Sequence, residues 1–175
     1  MTNGEIIHIN GSYGEGGGQI LRTSIALSAL TGKAVEITGI RKNRPKPGLA
    51  PQHLQGIKAN QELTNACVDG VKIGATAIRF TPKTIRPGKY EINIGTAGSI
   101  SLILQAFALP AAFSNVPISV TISGGTDVEW SPPIDYMKKV LLEILGKMGY
   151  RSDIKIINRG YYPRGNGTVH AKIMP

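Results

Sequence analysis

GSYGEGGGQILRTS, Gly11 to Ser24, places five glycines around one carboxylate and runs straight into an apolar helix. GTAGSISLILQ, from Gly95, does the same half a chain later: Gly14, Gly17 and Leu21 precede Gly95, Gly98 and Leu102 by one constant spacing. A glycine-rich turn between a short strand and a helix, met twice with similar flanks, marks an internal repeat. The fold class predicted is α+β, with tandem β-α-β-α-β-β repeats, each a four-stranded sheet with two helices. The units are assigned to residues 1–90 and 91–175, with the junction near Gly88–Gly95.

Outward from the first glycine loop, Glu5–Asn10 alternates apolar and polar residues like a short strand, and Gln19–Leu30 reads as a helix apolar almost all round, hence buried between layers. Gly32 ends it. Ala34–Ile40 is a β-branched strand, a basic Pro/Gly-rich loop spans Arg41–Gly48, and a second helix runs from about Ala50 to Ala66. Strands at Gly74–Thr81 and Tyr90–Ile94 complete the first set, the latter either shared or opening the second unit. The second copy is expected as a helix to Phe113, a strand Ile118–Ser123, a loop from Gly124, a helix Asp135–Met148, and strands near Ile154–Asn158 and Thr168–Ile173.

The 175 residues carry 20 Lys+Arg against 11 Asp+Glu, a net charge of +9, with 41% hydrophobic residues. That balance predicts a real core and an anionic partner. Three Phe, one Trp and six Tyr offer no obvious aromatic platform for bases. The lone Cys67 excludes a disulfide frame and a cysteine zinc site, fits a reducing compartment, and reads as a buried small hydrophobe. The segment MTNGEIIHIN lacks a basic-then-apolar signal pattern, and no run reaches the ~18 apolar residues of a membrane span. The chain reads as cytoplasmic, with no membrane partner; a homo-oligomer is compatible with the sequence.

The glycines before the first helix leave backbone N–H groups bare where its dipole is positive, an arrangement suited to phosphate. Glu15 alone would repel phosphate. A divalent cation held between Glu15 and phosphate oxygens resolves the conflict, with Arg22 one turn into the helix adding positive charge. The competing reading is a tight strand-to-helix turn in which Glu15 merely favours the helix dipole. Neither stock phosphate motif is present: from Gly14 and Gly16 the third position of G-x-G-x-x-G is Gln19, and Gly32-Lys33 is followed by Ala34.

Between Ile37 and Gln61 there is no acidic residue, while Arg41, Lys42, Arg44, Lys46 and Lys58 gather there with Gln52 and His53. Arg41 and Arg44 leave a strand end, and guanidinium suits bidentate phosphate contact. The prolines at 45, 47 and 51 stiffen the loop, which favours a site over a solvated tether. Gln105 is a lone amide within ISLILQAFALPAAF, either satisfied in the core or lining a crevice between repeats. Asp127, Glu129 and Asp135 lie near Pro132-Pro133; their irregular spacing reads as caps and turns rather than metal ligands. His8 and His170 sit in alternating strand segments. His53, without an acidic neighbour, is better placed to bind phosphate than to be activated, and no G-x-S-x-G elbow occurs.

Taken together, GSYGEGGGQILRTSIALSALTG, IRKNRPKPGLAPQHL, GTAGSISLILQAFALPA and SGGTDVEWSPPIDY resemble the RNA 3'-terminal phosphate cyclases along the whole chain. The resemblance implies a repeated unit like the C-terminal domain of a bacterial translation initiation factor. It also implies an ATP-dependent, ligase-type enzyme that converts an RNA 3'-phosphate to a 2',3'-cyclic phosphate through an enzyme adenylate and an RNA adenylate. It places Glu15 at a divalent metal, Mg²⁺ or Mn²⁺. Arg22, Arg41, Arg44 and Gln52 stand around the ATP phosphates with His53 beside them, Gln105 at the nucleotide, and Pro132 against the adenine. The partners implied are ATP and RNA with a 3'-phosphate end.

Members of that family are about twice this long, and the histidine that takes AMP lies in a later part, beyond an inserted domain and within a third repeat. No residue here matches it, so no catalytic nucleophile is assigned and the sequence is expected to be the N-terminal portion of such an enzyme. Two alternatives compete: a non-catalytic cyclase-like RNA-binding protein of ribosomal RNA processing, and a carboxyvinyl transferase, which shares a repeated unit of this type. Arg22, Arg41, Arg44 and Gln105 argue against the first, and the pairing of glycine-glutamate loop with basic loop against the second.

Overall fold

Alternation along the short strands decides which face of each sheet is covered. In the computed structural model, which describes residues 5–175, Val35 and Ile37 point to one side and Glu36 to the other. Ile78 and Phe80 repeat the pattern against Arg79. The reading of Met1–Gly4 as part of a non-signal segment lies outside the described residues. The chain divides into two compact units, one ending at Arg86 and one spanning Pro87–Pro175.

The first unit runs β1 (Ile7–Asn10), α1 (Gly18–Thr31), β2 (Val35–Thr38), α2 (Pro51–Thr64), β3 (Cys67–Asp69) and β4 (Ile78–Thr81). β1 pairs parallel with β2, and β4 runs antiparallel between β2 and β3, giving the order β1-β2-β4-β3. Leu21, Ile25 and Ala29 of α1 and Ile57 of α2 cover one face, packing with Val35, Ile37, Ile78 and the fully buried Phe80. Truncating Phe80 to Ala would cost about 3–5 kcal/mol. On the open face Glu36 accepts from Arg79 at 3.1 Å and pairs with His8 Nδ1 at 3.0 Å.

The second unit runs β5 (Lys89–Asn93), α3 (Ile100–Ala111), β6 (Ile118–Gly124), α4, β7 (Ser152–Asn158) and β8 (Gly167–Ile173). α4 runs as Ile134–Tyr136, a π-helical turn Met137–Leu141, and Leu142–Lys147. Strand order β5-β6-β8-β7, with one parallel and two antiparallel pairings, repeats the first sheet. The tandem α+β architecture read from the two glycine loops is thus observed. Tyr90, Ile92, Val120, Ile122, Val169 and Ala171 form the covered face, and Phe107 of α3 meets the Tyr90 ring edge-on with centroids 5.3 Å apart. His170 accompanies Thr121 on the open face, 3.2 Å from its hydroxyl.

Several element assignments change. The fourth strand of the first sheet is β3, Cys67–Asp69, and the strand expected at Tyr90–Ile94 pairs only within the second sheet. β3 is too short and too polar to carry a periodic signal. Cys67 is exposed rather than buried, because it lies opposite Thr81 on the uncovered face of an edge strand. Residues 74–77 are loop rather than strand. α1 is covered on one side only: Leu27 is exposed while Leu21, Ile25 and Ala29 are buried, as a two-layer unit requires. Gln105 is exposed on α3, so its amide is not a core group. Among the described residues no helix is long and apolar enough to cross a membrane.

Candidate functional site

The parallel strands β1 and β2 end side by side, and the loops leaving them interlock. Gly11 N–H donates to Thr38 O at 2.7 Å, and Asn43 Nδ2 donates to Ser12 O and Gly14 O at 3.1 and 3.0 Å. Asn43 therefore staples the glycine loop to the basic loop, a role sequence reasoning missed because an Asn within RKNRPKPG looks like any turn residue. The basic loop is braced in turn. Gly48 N–H donates to Ile40 O, Arg41 Nη1 to Gly48 O, and Leu49 N–H to Ala75 O, all between 2.9 and 3.0 Å. At Gly48, with φ +79, a Cβ would strike the carbonyl of Gly74, so only glycine fits there. Stiffness read from prolines is realised by a second layer of backbone bonds from residues 74–76.

Both helices that follow these loops begin at this edge, the end of a sheet where open α/β structures hold ligands. α1 starts after Gly17 without a side-chain cap, and neither α1 nor α2 has an acidic residue in its first turn. Each N-terminus carries about half a positive charge and unpaired N–H donors. By contrast, α3 has its N-terminus closed by Ser99, whose hydroxyl accepts from Leu102 N–H.

The side chains gather around Gly17 and Gly18. Arg44 Nη2 lies 3.0 Å from Glu15 Oε2 and also near Gly17. The Arg22 guanidinium and the His53 ring pack over Gly18, where any side chain would collide with His53 Nε2. Arg41 is close enough to His53 to lower its pKa, and Arg44 close enough to Arg41 to do the same there. Arg22 makes no hydrogen bond or ion pair with any described residue, and burial holds its guanidinium below the usual arginine range. Burial, then repulsion from Arg44, lowers Arg41 similarly. Glu15, Arg22, Arg41, Arg44 and His53 thus meet at one edge. Gln52 stands beside His53 at the start of α2 and is held by a partner of its own. Gln105 and Pro132 belong to the second unit, where Gln105 is exposed and Pro132 half-buried before α4.

His53 closes the start of α2. Its Nδ1 accepts from Ala50 N–H at 3.2 Å, half of a capping box whose other half an alanine cannot supply. Burial, followed by repulsion from Arg41 and Arg22, pushes it down to about 4. The neutral ring with Nδ1 accepting carries its proton on Nε2. Over Gly18, His53 is therefore a hydrogen-bond donor. The other two histidines lie on open sheet faces with partners of their own.

Among the described residues no three His, Cys, Asp or Glu side chains gather to hold a metal ion. Among the described residues, Glu15 is the exposed carboxylate at this edge. That donor set fits a hard cation completing its shell from water and phosphate oxygens, as Mg²⁺ does, and not one caged by protein. In the second unit, Asp127 and Asp135 are spoken for: Arg159 donates to them at 3.1 and 2.5 Å, joining the loop after β6 and the first turn of α4 to the loop after β7. This clamp was not legible, since 24 or more residues separate its members.

Comparison with known proteins gives the same direction. The family model described as RNA 3'-terminal phosphate cyclase matches residues 13–175. A protein of that name from Methanococcoides burtonii is 58% identical over 170 residues, covering 97% of this chain and 51% of the relative. Its namesakes from Archaeoglobus fulgidus and Methanopyrus kandleri are 52% and 51% identical, with 97% of this chain and 52% and 48% of theirs covered. The chain spans about half the length of these curated relatives. With a family match over nearly all its residues, the chain belongs to the RNA 3'-terminal phosphate cyclase family.

Proposed function

We propose that the first unit is the triphosphate-binding part of an ATP-dependent RNA 3'-phosphate cyclase, a cytoplasmic RNA-processing enzyme that makes 2',3'-cyclic ends through enzyme and RNA adenylates. The observation that carries this reading is Arg22: a half-buried guanidinium without a partner among the described residues, beside a neutral imidazole N–H and an uncapped helix N-terminus. A desolvated cation left unpaired is costly, and an anion offsets that cost. Arg22, Arg41 and His53 Nε2–H would hold phosphate oxygens, with Gln52 beside them, and Arg44 would exchange Glu15 for phosphate. Glu15 would hold Mg²⁺ or Mn²⁺, whose chemistry is to neutralise charge shared between phosphate oxygens. Gln105 and Pro132 are proposed for the nucleoside, Pro132 against the adenine.

The same geometry argues that His53 binds rather than attacks. Nucleophilic transfer of AMP needs an imidazole lone pair aimed at the α-phosphate, and the His53 lone pair on Nδ1 is engaged with Ala50 N–H. The chain alone should bind metal–ATP and remain unlabelled by ATP carrying label in its α-phosphate. Affinity falling in the order ATP, ADP, AMP, with retained label lost on denaturation, supports the reading. Acid-labile label surviving denaturation and abolished by His53→Ala would overturn it.

A further inference from the structure

At the end of the second sheet lies a cavity of about 350 Å³, contained in the second unit and lined by Asn93, Thr96, Ser123, Arg164, Asn166 and Thr168. Register aligns three of these across neighbouring strands: Asn93 faces Ser123 on β5 and β6, and Ser123 faces Thr168 on β6 and β8. They stand on the open face, in the row next to Glu91, Thr121 and His170. Among the described residues no acidic side chain lines the cavity. Ser123, Thr168 and Arg164 make no side-chain hydrogen bond or ion pair with any described residue. Asn93 and Thr96 use one acceptor oxygen each to hold Gly95 N–H and Gly98 N–H, which leaves their donors free.

The wall carrying Arg164 is fixed. Gly165 packs against Thr96 and Ala97 so closely that a Cβ there would meet backbone at 2.9–3.0 Å. Gly160 exchanges bonds with Thr126, and Asn158 Nδ2 donates to Asn166 O. The same hairpin exposes Tyr161 and Tyr162, the latter 84% exposed. One unpaired guanidinium, a row of hydroxyl and amide groups that can donate and accept, and adjacent exposed rings match a sugar-phosphate chain with bases to stack.

We propose that this cavity is a subsite for the backbone of single-stranded RNA, with Arg164 on a phosphate, Asn93, Thr96, Ser123 and Thr168 on ribose hydroxyls, and Tyr162 against a base. The inference rests on the proposed RNA substrate. It adds a surface that no motif in the sequence pointed to, since Asn93, Ser123 and the segment carrying Arg164 and Thr168 are far apart in the chain.

The test is fluorescence anisotropy of the 175-residue chain with labelled oligouridylate, oligodeoxythymidylate and MgATP, across about 50 to 200 mM salt. Arg164→Ala should weaken RNA binding about tenfold and reduce the slope of log K against log salt by about 0.7, the share of one phosphate on a single strand. Thr168→Val, which removes one of the four groups placed on ribose hydroxyls, should reduce the preference for RNA over DNA. Lys33→Ala, removing one exposed charge elsewhere, should change affinity much less, and MgATP affinity should be unchanged in all three variants. Equal losses for Arg164→Ala and Lys33→Ala, or RNA and DNA bound alike by the wild type, would overturn the subsite. Weakened MgATP with intact RNA binding in Arg164→Ala would make it a nucleotide site and overturn it too. If the wild type binds RNA and Arg164→Ala binds it equally well, the subsite alone fails; if the wild type binds no RNA, the RNA reading fails with it.

Discussion

Lowering the pH from neutral should destabilise the first unit through protonation of His53. Its imidazole is held at about 4 against an ordinary 6.5 by burial and by Arg41 and Arg22. Between those two values the unfolded chain binds a proton that the folded chain refuses, so stability rises with pH across this window. The His53 contribution is complete above about pH 6.5 and is lost as pH falls towards about 4. At about 1.4 kcal/mol per pKa unit the full window amounts to about 3 kcal/mol, a large share of the ~5–15 kcal/mol that typically holds a domain. Carboxylates titrate in the same range, so the comparison that isolates His53 is with His53→Gln, whose amide oxygen can still accept from Ala50 N–H. Urea unfolding of both proteins at pH 7 and pH 4.5, followed by circular dichroism, should show the wild type losing about 2–3 kcal/mol more than the variant. An imidazole midpoint near 6.5 by NMR, or identical pH dependence in the two proteins, would refute the account of this side chain.

Glu15→Gln should release Arg44 and leave metal-free ATP binding equal or stronger, while abolishing any gain from Mg²⁺; titration calorimetry with and without the ion reads both. Asn43→Ala removes two bonds to the glycine loop and should cost about 1–2 kcal/mol of stability by urea unfolding. Gly160→Ala places a Cβ against backbone atoms of Gly124, Gly165 and Gly167 and should lower stability by more than about 3 kcal/mol, or prevent folding of the second unit, seen by circular dichroism. Three or four phosphates of a 3'-phosphorylated RNA on the basic loop would give a salt slope of roughly −2 to −3, reduced in the Lys42→Ala/Lys46→Ala double variant without a change in base preference.

The parts of this molecule that were legible are those in which local sequence carries the whole physical reason. Two glycine loops entering two helices announced the repeat, because closeness of backbone and helix start is written in consecutive residues. The acid-free run from Ile37 to Gln61 marked the basic loop for the same reason. What was missed depends on distance or on the second dimension of the sheet. β3 is three residues on an edge, and its Cys67 faces away from the helices, so neither period nor residue type reveals it. Gln105 left two readings open, in the core or lining a crevice, because an apolar run does not say which helix face is covered, and exposure removes the first. Asn43 and Arg159 join loops, and the Asn93–Ser123–Thr168 row exists only once strand order is known.

The most direct test of the phosphate site is an NMR titration of the isotopically labelled chain with MgATP. The account predicts that shifts concentrate on residues 14–22 and 41–53, that the His53 Nε2–H signal becomes protected, and that Arg22→Ala weakens binding about tenfold or more. Shifts confined to other segments, or an Arg22→Ala variant that binds MgATP as the wild type does, would contradict it.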